Sequence, residues 1–385
     1  MFRVRIRPKA LRQIKSGHLW VFQNDVIDRK EELNGEVVRV ESSERDFIGW
    51  GFYSYHSRIA LRLISFEENV PEREFYKKKI KKALERRKGK IQPKKAVRLI
   101  NAEGDRFPGL IADWYDEQIV IQCLVPATDR LKAVIAEILW EQLKPKGIRF
   151  RNDARARELE NLALEKFFWK GEDKSLVEIE EGEVKFLVDL NEGHKTGAYL
   201  DQAENRLKAE QFCGARALDA FSYQGGFALH LAKNFQEVLA IESSPTIIEM
   251  LEKNLDINQV KNVSVLRGNV FEILDSWQKK EQFDLIVLDP PPFARSKKDL
   301  PSAKKGYLEL NKKALNLLGS GGKLITYSCS FNFLLKDLIE TIKQALAEVK
   351  RSATLLEIQM QAKDHPALIG VPESWYLKGL VIEVD

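Results

Sequence analysis

The chain has 385 residues, 44% of them apolar and 31% charged, which excludes general disorder and leaves room for two or three domains. Its formal net charge of +5 hides an asymmetry: residues 1–100 carry 25 Lys and Arg against 13 Asp and Glu, a net of +12, and the remainder carries 37 against 44, a net of −7. No apolar run approaches the roughly 18 residues of a membrane span, the start MFRVRIRPK is unlike a secretory signal, and three cysteines with five histidines fit neither a disulfide framework nor a four-ligand zinc site, so a cytoplasmic protein without a metal is expected.

In chain order, Phe2, Val4 and Ile6 alternate with arginines, Val38 and Val40 repeat the period of two, and Ile59, Leu61 and Leu63 do so again, which predicts a small β-rich module. Between these strands, Leu11 and Ile14 fit one helical face ended at Gly17, and Leu19–Phe22 starts another strand. This order resembles a PUA domain, a small RNA-binding β-barrel. Residues 73–98 hold 13 Lys and Arg and only two acids, with Phe75, Tyr76, Ile80, Ala83 and Leu84 at near-helical spacing. The segment reads as a basic amphipathic helix: a phosphate-contacting face, or else a solvated surface or linker. From Leu99 to about Val177, strand patterns in GLIADWYDEQIVIQCLV and GIRFRN flank a helix with Leu131, Val134, Ile135, Ile138 and Leu139 on one face. These predict a small α/β domain in which Cys123 packs into the core.

From residue 183, apolar strand runs (ARALDAF, VLAIES, VSVLRGNV, FDLIVLDPP, KLITYSCS) alternate with helical patterns, predicting a doubly wound, mainly parallel α/β sheet with its ligand at the carboxyl ends of the strands. The unusual residues collect at those ends. Asp219 closes the first strand before AFSYQGG, a glycine turn that matches neither a dinucleotide nor a triphosphate loop, and Glu242 closes the second, about 20 residues on, where such folds bind ribose hydroxyls. Acid-ended strands with a glycine turn suit a ligand that has a ribose and no phosphate, such as S-adenosylmethionine (SAM). The fourth strand runs into Asp289, fixed by Pro290, Pro291 and Pro292, and the fifth into Ser328-Cys329-Ser330, so a carboxylate and a thiol face one crevice.

Taken together, NEGHKTGAYLDQAENR (191–206), LDAFSYQGGF (218–227), LDPPPFARSK (288–297), GGKLITYSCS (321–330) and DHPALIGVPESWYLKG (364–379) resemble the bacterial 23S ribosomal RNA large subunit methyltransferase I family, along nearly the whole chain. The resemblance implies an α/β architecture of three parts: a PUA-like domain over 1–70, a basic helix and central α/β domain over 71–182, and a class I SAM-dependent methyltransferase domain, Rossmann-like with a mainly parallel sheet, over 183–385. It implies a SAM-dependent enzyme that forms 5-methylcytidine in 23S ribosomal RNA, with RNA as partner; the sequence leaves open whether the chain is a homodimer. By position, Lys195, Thr196, Gly197, Asp201 and Gln202 match the family's first cofactor motif, Asp219, Phe221, Ser222 and Gly225 its glycine turn, and Glu242 its ribose-binding acid. Asn269 stands where the family usually carries an acid for the adenine amine, keeping an acceptor oxygen and losing a charge. Asp289 belongs to both the cofactor set and the catalytic set.

Chemistry points to the thiol independently, because C5 of cytosine is a poor nucleophile until a nucleophile adds at C6. Cys329 fits that role, with Asp289 meeting the exocyclic amine and N3. Two prolines stand where some RNA cytosine methyltransferases carry a second cysteine, so a single-cysteine mechanism is expected. The target base must leave its stack, and Phe293, Tyr327 and Phe331 are candidates to receive it. Other readings are a uracil-C5 enzyme, methylation of a purine or exocyclic nitrogen, and an RNA-binding assembly factor with a degenerate SAM fold.

Overall fold

The structure is a computed structural model that describes residues 2–277, 282–294 and 296–385; Arg295 of the acid–proline motif lies outside the described residues. The chain forms two compact units, and both are discontinuous in sequence. The first comprises Met1–Ile179, Val188–Leu200 and Lys363–Ser374, the second Glu180–Leu187, Asp201–Ala362 and Trp375–Asp385.

In the first unit the period-two segments form a five-stranded sheet in the order Arg3–Arg5, Val37–Glu41, Phe47–Tyr53, Ile59–Ser65, Trp20–Phe22, parallel in its first pair and antiparallel elsewhere. The alternation has its expected cause: Val4, Ile6, Val38, Val40, Leu61 and Leu63 are all buried in one core, joined by Ile14 of the helix Pro8–Lys15. A second five-stranded sheet follows, in the order Glu165–Gly171, Gly147–Asn152, Gln118–Cys123, Leu110–Tyr115, Ala96–Asn101. Cys123 is fully buried in it, as expected, and burial pushes its thiol up beyond the ordinary range.

The basic segment is a shorter helix than its composition suggests. It spans Arg73–Glu85, burying Tyr76, Ile80, Ala83 and Leu84; Gly89, at φ +85°, and Pro93 break the pattern, and Ala96 already begins a strand. Two of its 13 cations do not face solvent. Arg87 makes a bidentate pair with Asp105 at 2.7 Å on both arms, and Arg98 is buried against Asp113.

The second unit is built on a seven-stranded sheet. Its strands are β1 (Gly214–Ala220), β2 (Phe235–Glu242), β3 (Val263–Arg267), β4 (Phe283–Leu288), β5 (Leu318–Ser328), β6 (Ala353–Met360) and β7 (Lys378–Val384), in the order β3-β2-β1-β4-β5-β7-β6. Only β7 runs against its neighbours, pairing antiparallel with β5 and β6. The helices are α1 (Ala203–Ala209), α2 (Gly226–Leu231), α3 (Pro245–Ile257), α4 (Val270–Trp277), α5 (Leu300–Leu317) and α6 (Leu335–Val349). The central strands have apolar middles because helices cover both faces there, and Leu285–Leu288 are wholly buried. Strand order reverses between β1 and β4, the switch point at which a doubly wound sheet leaves a crevice for a ligand. Among the described residues no helix is long and apolar enough to cross a membrane.

Candidate active site

The glycine turn after β1 is held by its own acid. Asp219 Oδ2 accepts the Ser222 hydroxyl at 2.6 Å and the Ala228 amide of α2 at 2.9 Å, tying the turn to the first turn of the helix. The backbone is left-handed at Phe221 (φ +67°), Tyr223 (φ +51°) and Gly225 (φ +83°), and an aromatic residue in that region marks stored strain of the kind found at ligand-binding turns. Asp219 is buried, and its Oδ1 has no hydrogen-bond partner among the described residues. Burial raises its carboxyl to about 6 against the hydrogen bond from Ser222.

At the end of β2, Glu242 Oε2 accepts the Tyr223 amide at 3.0 Å while Oε1 accepts the amides of Ser243 and Ser244 at 2.7 and 2.9 Å. The expected ribose acid thus also fixes the turn from the adjacent strand. Asn269 is exposed beyond β3, and its Oδ1 accepts the Phe271 amide at 2.9 Å, so it caps α4. The crevice at β1 and β2 therefore offers two acids, one buried acceptor oxygen without a partner among the described residues, and no cation in residues 219–226, while Arg206 beside Gly226 is committed to Glu181 at 2.7 and 2.6 Å. Such a donor set fits a ligand that brings hydroxyls or an ammonium, as S-adenosylmethionine does, and does not fit a phosphate.

The neighbouring strand ends carry the chemistry. Asp289 follows β4 and accepts the Gln202 side-chain amide on Oδ2 at 3.0 Å; the Gln202 oxygen in turn accepts from Asn205 at 2.6 Å. Gln202, expected in the cofactor motif, is buried and positions Asp289. Asp201, also buried, accepts the Tyr376 hydroxyl at 2.8 Å, and its carbonyl accepts the Ala362 amide at 2.9 Å.

After β5, Ser328 and Ser330 are buried and Cys329 between them is partly exposed. One phenol grips both serines: Ser328 Oγ donates to the Tyr307 hydroxyl at 2.9 Å, and Tyr307 Oη lies 3.4 Å from Ser330 Oγ. Ser330 Oγ also accepts the Ala294 amide at 3.2 Å, linking this loop to the acid–proline loop, and the Cys329 thiol points to the Pro290 carbonyl at 3.9 Å. From β7, the buried amine of Lys378 donates to the Ser330 carbonyl at 2.7 Å. Burial lowers this amine to about 8, while Cys329 and Asp337 raise it.

Lys195, Thr196 and Gly197 belong to the first unit. There Thr196 is buried, donating to Asp113 Oδ2 at 2.6 Å and lying 2.9 Å from the Tyr115 hydroxyl, whereas Lys195 is exposed and lies over the Tyr199 ring at 4.6 Å. Gly197 has φ +150°, and a side chain there would meet Val188 at 2.7 Å. Of the aromatic candidates, Tyr327 is buried with its hydroxyl on Gln359, and Phe293 lies tilted against Tyr307 with centroids 4.6 Å apart. Tyr327 is committed to the core, Phe293 is half-buried, and Phe331, 40% exposed, is the most open of the three.

Two residues of this arrangement carry no cue in the sequence. Tyr307 reads as an ordinary core position of α5, and Lys378 as a strand-edge lysine, although it lies inside the segment 364–379. Neither reaches Cys329 except through pairing across long chain separations.

A family model described as a PUA-like domain matches residues 4–66, and one described as a methyltransferase domain matches residues 212–369. A protein of Aeromonas salmonicida named ribosomal RNA large subunit methyltransferase I is 36% identical over 95% of both chains, and one of the same name from Shewanella amazonensis is 35% identical over 99% of both. Among solved structures, SMU.776, described as a methyltransferase complexed with SAH, superposes with a TM-score of 0.87 at 21% identity over the full length of both chains. A chain described as a SAM-dependent methyltransferase from Streptococcus mutans gives 0.85 at the same identity and coverage. These two establish a shared fold.

Proposed function

The chain belongs to the ribosomal RNA large subunit methyltransferase I family, and from that premise we propose that it methylates C5 of a cytosine in 23S ribosomal RNA through a covalent adduct at Cys329. At the coarser level it is a SAM-dependent ribosomal RNA methyltransferase with a PUA-like domain. Asp219, Phe221, Ser222, Gly225 and Glu242 would hold the cofactor in the second unit, together with Asp201, Gln202, Asn269 and Asp289. Bound S-adenosylmethionine supplies an electrophilic methyl group. RNA binding is assigned to residues 1–70 and the basic segment after them, the central domain to 71–182 and catalysis to 183–385. The same reading puts the protein in the cytoplasm with its ribosomal substrate.

In the chain's own chemistry, the Cys329 thiolate adds to C6, and the C5–C6 π pair becomes available at C5. Asp289, oriented by Gln202, accepts from the exocyclic amine and keeps the ring in register while charge develops on it. When C5 has taken the methyl group, with S-adenosylhomocysteine as the leaving group, loss of the C5 proton to solvent restores the C5–C6 double bond and expels the Cys329 thiolate. The observation that carries this reading is the Ser-Cys-Ser loop, whose serines are locked inside by Tyr307 and whose cysteine alone is partly exposed, next to the Asp289 loop.

The test is to incubate the protein with S-adenosylmethionine and unmodified 23S ribosomal RNA, digest to nucleosides and identify the product by mass spectrometry. 5-Methylcytidine is expected; methyluridine or a methylated purine would overturn the assignment of the base. Cys329→Ala should abolish transfer while S-adenosylhomocysteine affinity stays within about twofold, because the thiol lies outside the glycine turn.

A further inference from the structure

We propose that Lys378 is a positioning residue that holds the Cys329 side chain as a thiolate, ready to add to the base. The proposal rests on Cys329 being the nucleophile, as argued above. Strand register places Lys378 directly opposite Ser328, the residue before Cys329, and its amine donates at 2.7 Å to the carbonyl of Ser330, the residue after it. One lysine therefore brackets the cysteine, by its backbone on one side and by its side chain on the other. A buried ammonium is costly unless a negative group compensates it. Ser330 O is a neutral acceptor, and the charges acting on this amine are those of Cys329 and Asp337. Asp337 is already engaged, paired with Lys304 at 2.7 Å and accepting the Leu334 amide at 3.0 Å, so the thiolate is the counter-charge that remains.

The other groups packed around the loop bear on the same ionisation. Tyr307, from α5, is raised by burial and stays neutral, donating or accepting hydrogen bonds at the two serines without adding charge. Asp289, one residue before the carbonyl that the Cys329 thiol meets, is an acid and opposes a thiolate. Lys378, on β7, brings a cation to this loop through its bond to the Ser330 carbonyl. With its amine near 8, Lys378 is protonated at pH 7, and the proton released by the thiol goes to solvent.

The experiment is the pH dependence of Cys329 alkylation by iodoacetamide, resolved by peptide mass spectrometry from Cys213, which is exposed, and from Cys123. Lys378→Met should slow alkylation of Cys329 at pH 7 by about tenfold, a shift of about one unit in the thiol titration, with Lys378→Arg restoring most of it. In the wild-type protein the profile should carry a second inflection near pH 8, where the amine discharges. A Lys378→Met variant that is folded by circular dichroism and titrates like the wild type would overturn the pairing. If that variant does not fold, a wild-type profile with a single inflection would do so. Full methylation by Cys329→Ala would instead remove the nucleophile while leaving the titration result unchanged, so the two failures are distinct.

Discussion

At the residue scale the clearest lever is Asp219. Its ordinary value of 3.8 rises to about 6 through burial, so between those values the folded chain binds more protons than the unfolded one. The resulting contribution to stability is fully present below 3.8 and is lost as pH rises through about 6. Ligand binding runs the other way: an ionised Oδ1 is the better acceptor for hydroxyl or ammonium donors. Calorimetric titration with S-adenosylhomocysteine should show affinity falling by up to about tenfold for each unit below 6 and levelling above it. Asp219→Asn should flatten that dependence; a wild-type profile that is already flat would remove Asp219 from the binding set. Sequence spacing was enough to single out Asp219, Glu242, Asp289 and Cys329, since each closes a strand of one parallel sheet. It could not show that Gln202 turns toward Asp289, because that hydrogen bond spans 87 positions.

At the scale of elements, the basic segment separates into two jobs that composition merges. Arg87 and Arg98 are interior: Asp105 meets Arg87 from the turn after strand Ala96–Asn101, Asp113 meets Arg98 from the neighbouring strand and also accepts from Thr196, and the Asp364 carboxylate accepts the Arg98 amide. Arg87→Ala leaves the Asp105 carboxylate buried and removes a bidentate pair, which should cost about 3–5 kcal/mol in urea unfolding. Replacing Lys78, Lys81 and Lys82, all exposed on the helix Arg73–Glu85, should change stability by no more than about 0.5 kcal/mol each. A neutral Arg87→Ala would mean that the network is slack. Read from the sequence, the helix runs on past Glu85, where Gly89 and Pro93 end the pattern, and the inward turn of Arg87 just beyond the helix does not show, since a buried cation has the same letter as one in water.

For the whole molecule, the relevant electrostatic quantity is the distribution and not the total. A net charge of +5 would predict little attraction to RNA, whereas +12 within the first 100 residues predicts affinity that falls steeply with salt. The triple variant Lys78→Glu, Lys81→Glu, Lys82→Glu should weaken ribosomal RNA binding and lower the slope of log K against log salt by about one for each phosphate that a lysine no longer neutralises. An unchanged slope would assign that helix to solvent.

By itself the sequence determined the alternation of strands and helices, the switch-point crevice, the glycine turn and the acid and thiol at neighbouring strand ends. These follow from local periodicity and from backbone preferences that act over a few residues. Only the tertiary structure decided which distant segments complete each unit. Residues 188–200 and 363–374 join the first unit, and Lys378 comes to lie against the Cys329 loop. Antiparallel register between β5 and β7 and the burial of charge against charge are long-range pairings, and no local pattern in the chain encodes them.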